Sequence, residues 1–519
     1  MGYSNYLAIL SGLLLSLCFP KANLYWLAHI ALIPLIIGLL KIRKQPMKRY
    51  QKALRYMRIC GLFGLTLMLI GQSWMLELHS WSSWASISSL WLIYCLYLSL
   101  FYALIGLLFG LCNGQLLALP ACWFLGEWLK IIAPFGNPGM SLGYSQAYQL
   151  PILQWSQYIG VLGISAWLLV TNISLLYLIQ LLPRVYRPLQ RPLPKQHFNP
   201  SVPLRILALS LLIVPYLLGQ YWLRHPNNPP DSQAVSIIQG NHTQIHKLTP
   251  EKWPMIRESF ITLAIQTLQK KPNQWLIFPE TITPSFNLEQ PHFIQKLVSI
   301  AQTFNAEIIF GTPIRERGAH YNSIVKISKD GLAKDPYHKI KLMPFGEYWP
   351  AKGLFKALNL DNFIPHSEFS HGEPKQLFHV NNIPLGAAIC LEAVFPQYLH
   401  RAVRNGAKAN IILVNNAWFN DSAAAEYLLQ MSIFRAVESQ RSSIQSANTG
   451  ISAIIDPQGR LQEKSQLNKV AVLSATIPLK NQITPYTQVG NLPLLLTSIL
   501  ILLIIAVQQF RYWRSQQQT

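Results

Sequence analysis

Long apolar runs separated by short polar linkers fill the first 223 residues, and one more lies near the end of the chain. The runs fall near 5–20, 24–41, 59–78, 87–112, 115–132, 153–182, 204–223 and 492–510. About 20 apolar residues in helical conformation cross the hydrocarbon core of a bilayer. The pattern therefore predicts about eight membrane-spanning helices, seven within 1–223 and the last within 491–510.

Between 232 and 480 the pattern changes to short apolar runs that alternate with amphipathic stretches. Strands are predicted at 235–239, 275–279, 307–312, 323–328, 385–390, 411–415, 442–447, 452–456 and 471–477. Helices are predicted at 250–269, 291–304, 394–405 and 421–440, the last with Asp421 as its N-cap. This alternation is typical of an α/β layered domain with a largely buried sheet. About 250 residues suffice for a single domain of that kind.

Composition and charge placement support this division. The chain is 51% hydrophobic and 12% charged, about half the charged share of an ordinary soluble domain. The net charge of +22 would fit a nucleic-acid binder, but much of it lies between apolar runs. The linker 41–58 holds eight Lys and Arg residues, 184–203 holds four, and neither holds an acid. The positive-inside rule makes both linkers and the tail 511–519 cytoplasmic, which leaves 232–480 outside the cytoplasm.

Two kinds of residue need an explanation in a chain of this type. Five of the six cysteines lie in or beside apolar runs, and only Cys390 lies in the soluble segment. A lone thiol in an exported domain has no disulfide partner there, which favours a chemical role. Glu127 lies near the outer end of the fifth apolar run. It is either a functional intramembrane carboxylate or an interfacial partner of Lys130.

Three segments of 232–480 carry candidate chemistry. A buried strand runs into Glu280, the segment 337–347 contains Lys339, and a second buried strand ends at Cys390. In α/β sheets, groups at the carboxyl ends of strands face the usual ligand crevice. There a thiol, a carboxylate and an ammonium supply a nucleophile, a base and a cation. Taken singly, the three residues also fit an inert buried thiol, a solvated turn carboxylate and a surface lysine.

Together, and in this order and spacing, these segments resemble the nitrilase superfamily, whose Glu-Lys-Cys triad lies on an α-β-β-α sandwich. The apolar envelope and the run Pro344-Phe345-Gly346-Glu347 resemble the apolipoprotein N-acyltransferase family within it. Other matching segments are Gln239-Gly240-Asn241, Gly143-Tyr144-Ser145-Gln146, Asn416-Ala417-Trp418-Phe419 and Ala447-Asn448-Thr449-Gly450. The resemblance implies a polytopic α-helical membrane domain with an extracytoplasmic nitrilase-like sandwich at 232–480.

The resemblance also implies residue roles. Glu280 would be the general base, Lys339 the oxyanion-stabilising cation and Cys390 the nucleophile. Lys339 is preferred to Lys341 because it is the lysine of the family's Tyr-x-Lys-x-x-Leu pattern. The family often has Tyr where Leu391 stands here, so any role of that Tyr is not carried over. Glu347 and Glu392 would support the triad. The substrate-binding residues would be Trp418, Trp349, Phe355 and Gln239. No metal and no cofactor are implied.

The implied reaction is a two-step acyl transfer. Cys390 would take an acyl chain from the sn-1 position of a phospholipid as a thioester. The α-amine of an S-diacylglyceryl-cysteine at an apolipoprotein N-terminus would then accept it. The expected partners are the phospholipid, the apolipoprotein and the bilayer, with no nucleic acid, and the protein is expected to be a monomer. The expected location is the inner membrane of a Gram-negative bacterium, with the catalytic domain in the periplasm.

The apolar stretch 343–365 is interpreted as an arm that dips into the lipid interface, with a helix packed on the domain as the alternative. A membrane-tethered nitrilase-type amidase that hydrolyses a small amide would share the same triad. The membrane motifs and the stretch 343–365 favour a lipid substrate over it. A transporter or receptor with a degenerate domain is a third possibility. The three intact triad residues disfavour it, and the spans lack the paired charges of an ion pathway.

Overall fold

A computed structural model describes residues 2–179, 202–226, 231–350, 352–353, 368–374 and 377–517. The chain forms two compact units. The helical unit comprises Met1–His225 and Val489–Thr519, and the sandwich unit comprises Pro226–Gln488. Most of the predicted cytoplasmic loop 184–203 lies outside the described residues.

The helical unit is built from apolar α-helices. Its helices are Tyr3–Ser16, Ile33–Arg43, Arg49–Gly71, Trp84–Leu111, Leu119–Ile132, Leu150–Leu153, Ser156–Ile179, Val202–Arg224 and Leu492–Gln517. Within the described part of the chain, six segments are long and apolar enough to cross a membrane. They are Tyr25–Arg43, Arg49–Gly71, Trp84–Leu111, Ser156–Ile179, Pro203–Arg224 and Leu492–Arg511.

Two of the predicted spans form shorter helices. The run 5–20 overlaps the helix Tyr3–Ser16, and the run 115–132 contains the helix Leu119–Ile132. Each helix has 14 residues. At 1.5 Å per residue such a helix is about 21 Å long, shorter than a hydrocarbon core of roughly 30 Å. The count of eight spans therefore stays a prediction.

Glu127 is buried inside the helical unit. Its carboxylate accepts hydrogen bonds from Trp123 Nε1 at 3.0 Å and from the main-chain N–H of Leu142 at 2.8 Å. Lys130, one turn further along the same helix, donates to the carbonyl of Gly139 at 2.9 Å. Both charged residues thus tie the Leu119–Ile132 helix to the chain around Gly139 and Leu142.

The sandwich unit contains two mixed β-sheets. The first has the order β13-β1-β2-β3-β4-β5, with β6 also paired to β4. Its strands are β1 Ser232–Gln239, β2 Trp275–Ile277, β3 Glu307–Glu316, β4 Ala319–Ser328, β5 Gly331–Leu332, β6 Tyr337–His338 and β13 Ala471–Pro478. The second has the order β12-β11-β10-β9-β8-β7. Its strands are β7 Phe378–Val380, β8 Ile383–Ile389, β9 Ala409–Val414, β10 Ser443–Ala447, β11 Ala453–Ile455 and β12 Leu461–Lys464.

The central strands of each sheet are parallel: β1, β2 and β3 in the first sheet, and β8, β9 and β10 in the second. All nine predicted strands and all four predicted helices are present. The helices of the sandwich unit are Gln244–Leu248, Trp253–Lys270, Pro291–Phe304, Pro396–Arg404, Ala424–Ser439 and Pro485–Val489. The predicted N-cap at Asp421 is wrong, because that helix begins at Ala424 with Ala423 as its N-cap.

Alternating side chains of the central strands divide between two hydrophobic cores. Ile309 of β3 packs between the sheets in one cluster with Ile411 of β9. Its neighbours Ile308 and Phe310 face the other way and pack with residues such as Phe260 of the Trp253–Lys270 helix. Both strand faces are buried, which explains why these strands are almost continuously apolar. The second sheet packs in the same way against the Pro396–Arg404 and Ala424–Ser439 helices, and the predicted α-β-β-α order is confirmed.

Gly311 of β3 allows the chain after β2 to pass close beside it. A Cβ at this position would lie 2.7 Å from Glu280 Cα and 2.7 Å from Thr281 N. We expect Gly311→Ala to displace the segment that carries Glu280, because neither contact is with a flexible side chain. Overpacking of this kind costs about 1–3 kcal/mol in unfolding free energy. Thermal unfolding of the purified protein measures the loss. Gly353→Ala, where a Cβ meets no atom within 4 Å, should leave the melting temperature unchanged, and equal melting of the two variants would contradict the explanation.

Candidate active site

Glu280 lies just beyond the carboxyl end of β2. After β2 the chain stays hydrogen-bonded to β3, through Phe278 N to Ile309 O at 2.8 Å and Gly311 N to Pro279 O at 3.1 Å. The Glu280 side chain is largely buried. The apolar strand thus fixes the main chain on which this carboxylate is carried.

Lys339 directly follows the two-residue strand β6, which pairs with β4. Its main-chain N–H donates to the carbonyl of Asn322 on β4 at 2.8 Å. Its ammonium lies 3.4 Å from Glu280 Oε1 and 2.9 Å from Glu347 Oε2, and all three side chains are largely buried. Burial alone would lower the pKa of Lys339, but Glu280 and Glu347 together raise it above its ordinary value. This lysine is therefore a permanent cation.

Cys390 follows β8 in the second sheet and begins the 3₁₀ turn Cys390–Val394. Its φ of 50° lies in the left-handed region, where non-glycine residues are uncommon and concentrated at functional positions. Burial raises the pKa of the thiol to about 12; Glu280 and Glu347 also raise it, while Lys339 and the N–H of Leu391 lower it. The thiol is consequently protonated at neutral pH in the resting site.

Glu347 and Asn322 connect the two charged triad residues. The Asn322 amide donates to Glu280 Oε1 at 2.9 Å and to Glu347 Oε1 at 2.7 Å. Glu347 also accepts the main-chain N–H of Met343 at 2.8 Å. The Asn322 amide and the Lys339 ammonium therefore each contact both carboxylates, those of Glu280 and Glu347.

Glu392 links the turn after Cys390 to the segment around Lys339. Its carboxylate accepts the main-chain N–H groups of Ile340 at 2.5 Å, Lys341 at 3.0 Å and Ile389 at 2.7 Å, and the Tyr337 hydroxyl at 3.0 Å. Burial raises the pKa of Glu392 to about 7, although the hydrogen bonds from the main chain and the charge of Lys339 act to lower it. This side chain therefore links the segment after β6 of the first sheet to the end of β8 in the second sheet.

The residues predicted to bind substrate are distributed differently. Trp349 follows Glu347 closely and packs edge-on against Phe345, with ring centroids 5.2 Å apart. Trp418 lies beyond β9, the neighbour of the strand that leads to Cys390, and is 37% exposed. Phe355 lies outside the described residues.

Gln239, also predicted to bind substrate, is fully buried at the end of β1. Its amide donates to the carbonyl of Lys469 at 2.8 Å, and its oxygen accepts from Ser452 and Ser465. Both ends of the Gln239 amide therefore bind residues within the domain, and Gln239 connects β1 to the segments around Ser452 and Lys469.

Two polar residues of this cluster, Asn322 and Lys247, are not predicted from the sequence. Asn322 is a buried amide within β4. A buried polar side chain needs hydrogen-bond partners, so a polar residue at a predicted strand position is the signal that could have identified Asn322. Lys247 is also buried, and its Nζ lies 3.5 Å from the carbonyl oxygen of Glu280. In the sequence it resembles an ordinary surface lysine.

Comparison with known proteins assigns both units. A family model described as the apolipoprotein N-acyltransferase N-terminal domain matches residues 11–174, and the carbon-nitrogen hydrolase model matches 235–484. An apolipoprotein N-acyltransferase of Methylococcus capsulatus is 30% identical over 83% of this chain and 83% of its own length. That of Coxiella burnetii is 28% identical over 96% and 99%, respectively. Among solved structures, Nit3 of Saccharomyces cerevisiae aligns with 48% of this chain and 90% of its own, at 16% identity and a TM-score of 0.37.

The sandwich unit is thus a carbon-nitrogen hydrolase domain of the nitrilase superfamily, joined to an apolar helical domain. The chain as a whole belongs to the apolipoprotein N-acyltransferase family, as its motifs suggested. The protein is therefore a membrane acyltransferase.

Removal of the Glu392 carboxylate should disrupt the site without touching the triad. Glu392→Ala leaves three buried or partly buried N–H groups and one hydroxyl without their acceptor, and each such loss costs up to about 1–3 kcal/mol. We expect a large fall in melting temperature and slow alkylation of Cys390 by iodoacetamide, measured by peptide mass. Glu392→Gln keeps one acceptor oxygen and should be intermediate in both respects. Replacement of the exposed Glu463 by Ala is the control; if Glu392→Ala behaved like it, the linking role would be wrong.

Proposed function

We propose that this protein transfers a fatty-acyl chain from the sn-1 position of a phospholipid to the α-amine of the S-diacylglyceryl-cysteine of apolipoproteins. Membership of the apolipoprotein N-acyltransferase family supports the overall reaction. The observation that carries the mechanism is the largely buried ion-pair cluster of Lys339 with Glu280 and Glu347, together with the partly buried Cys390 thiol, whose pKa responds to the charges of all three residues.

In the first step, Glu280 acts as general base. A thiol with a pKa of about 12 does not ionise by itself at neutral pH, so its proton has to leave as the sulfur attacks. Glu280 takes this proton while Sγ bonds to the ester carbonyl carbon. The Lys339 ammonium stabilises the resulting oxyanion. When the intermediate collapses, the carbon–oxygen bond breaks, Glu280 returns its proton to the leaving oxygen, and a lysophospholipid departs from a Cys390 thioester.

In the second step, the neutral α-amine of the acceptor attacks the thioester carbonyl. Glu280 takes a proton from the attacking nitrogen, the carbon–sulfur bond breaks, and the proton returns to the Cys390 sulfur. Glu347 and Asn322 position Lys339 and Glu280 throughout. Exclusion of water protects the thioester between the two steps.

Both substrates are anchored in a bilayer, which gives a reason for joining the triad domain to membrane helices. The basic linker 41–58 supports a cytoplasmic position for that loop and a periplasmic one for the sandwich unit, in the inner membrane of a Gram-negative bacterium. We further propose that apolar side chains after Lys339 meet the lipid. Met343 and Phe345 are 37% and 54% exposed, and both closely precede the positioning carboxylate Glu347 in sequence.

The reaction is tested by incubating the purified full-length protein in detergent with a defined phospholipid and a diacylglyceryl peptide. We expect one acylated peptide for each lysophospholipid released, and no product with Cys390→Ala. Phospholipid-independent release of ammonia from small amides, without peptide acylation, would instead support the amidase alternative, which uses the same triad.

The lipid contact is tested by Phe345→Ser and Trp349→Ser. Both variants should lower acyl transfer from phospholipid several-fold more than they lower alkylation of Cys390 by water-soluble iodoacetamide, because only the first reaction needs lipid at the site. Equal losses in both reactions would assign these aromatic residues a structural role. Replacing Phe304, a partly buried ring at the end of the Pro291–Phe304 helix, by Ser controls for loss of an aromatic ring elsewhere on the domain.

A further inference from the structure

We propose that Lys247 is a second cation of the catalytic cluster, a positioning residue that supplies a countercharge to the Glu280 carboxylate in the resting enzyme. The inference rests on the proposed function, since it takes Glu280 to be the base. None of the motifs that indicated the triad includes this lysine.

In the short helix Gln244–Leu248, the lysine is buried and two aliphatic residues are exposed, the reverse of the usual arrangement. Lys247 is 1% exposed, whereas Ile245 and Leu248 on either side of it are 66% and 50% exposed. Lysine is almost never fully buried unless it has a partner, and exposing two aliphatic side chains gains nothing from the hydrophobic effect. The orientation of the helix therefore favours burial of Lys247 over burial of Ile245 and Leu248.

The orientation of this helix is held by contacts at its ends. The Thr243 hydroxyl accepts the main-chain N–H of His246 at 3.3 Å, and Trp253 Nε1 donates to the carbonyl of Lys247 at 2.7 Å. At the other side, the Gln244 side chain accepts from the Asn415 amide at 3.2 Å. These bonds direct the Lys247 side chain into the domain, where its ammonium contacts the Glu280 carbonyl at 3.5 Å.

The charges of the cluster show what this ammonium contributes. Glu280 and Glu347 are both buried, and they share the Lys339 ammonium and the Asn322 amide. Two carboxylates with one cation would leave a net charge of −1, and like charges at one site raise the pKa of one carboxyl. Burial raises the pKa of Glu392, the third carboxyl near Lys339, to about 7, so Glu392 is mainly neutral in the acidic range. There the net charge of the cluster with Lys247 protonated is zero. It stays zero when Glu280 takes the thiol proton and the negative charge passes to the substrate oxyanion.

The surroundings of Lys247 are compatible with this role. Burial lowers the pKa of Lys247 to about 7, while Glu280 acts to raise it. Lys247 is therefore protonated over the acidic range in which a carboxyl titrates. The other titratable groups around it are His242 and His246. Burial, with smaller effects of Lys247 and His246, lowers the pKa of His242 to about 4, so His242 is neutral over most of that range.

The test follows the pH dependence of Cys390 alkylation by iodoacetamide in the full-length protein, with Cys390 resolved by peptide mass. In the wild type, the rate should rise with pH as Glu280 loses its proton. Lys247→Met should move the midpoint of this rise upward by about one pH unit, the lower end of the effect of a neighbouring opposite charge. Lys247→Gln, which retains a hydrogen-bond donor without the charge, should give the same shift. Lys247→Arg and the exposed-site control Lys252→Met should keep the wild-type midpoint.

Glu280→Gln, measured in parallel, separates this inference from the proposed function. Its profile should lose the acidic rise. A rise that persists in Glu280→Gln would remove Glu280 as the base, whatever Lys247 does. If Glu280→Gln loses the rise but Lys247→Met and Lys247→Gln keep the wild-type midpoint, the role of Lys247 is overturned and the base assignment stands. A uniform fall in rate at every pH, with no shift of midpoint, would likewise reduce Lys247 to a structural residue.

Discussion

The ion pairs of the Lys339 ammonium are the interaction on which the catalytic site depends. Burying a carboxylate or an ammonium is costly, and breaking a buried pair by removing one partner costs about 3–5 kcal/mol. Lys339 is paired with Glu280 at 3.4 Å and with Glu347 at 2.9 Å. Each of these charges stays buried because the others are present. The three side chains therefore form one unit, and loss of any one of them removes at least one of these ion pairs.

The α-β-β-α sandwich brings Cys390, the proposed nucleophile, to this unit from the other sheet. Glu280 and Lys339 follow β2 and β6 of the first sheet, and Cys390 follows β8 of the second. Glu392 makes the connection, since its carboxylate binds N–H groups both before Cys390 and after Lys339. The relative position of thiol, base and cation thus depends on packing between the sheets. A thiol of high pKa near a carboxyl group suits a nucleophile that is activated only as substrate is attacked.

Much of this arrangement could be predicted from the sequence, for identifiable physical reasons. Strands buried on both faces are nearly continuous apolar runs, so the central strands of both sheets were predicted together with the segments that carry Glu280 and Cys390. The two-residue strand β6 has no such pattern, although Lys339 follows it. Asn322 and Lys247 were missed because their importance arises from contacts with residues distant in sequence. Gln239 matched a family motif, but its burial and internal hydrogen bonds became visible only in the fold. Asp421 is a good N-cap residue by type, yet the helix begins at Ala424.

The central claim is that Cys390 carries the acyl chain between donor and acceptor. Intact mass spectrometry of the purified protein after incubation with a single defined phospholipid tests it most directly. We expect one fatty-acyl increment, located on Cys390 by peptide mapping and lost when the diacylglyceryl peptide is added. Acyl transfer to the peptide by a protein that never carries the increment, or by a Cys390→Ala variant, would contradict it.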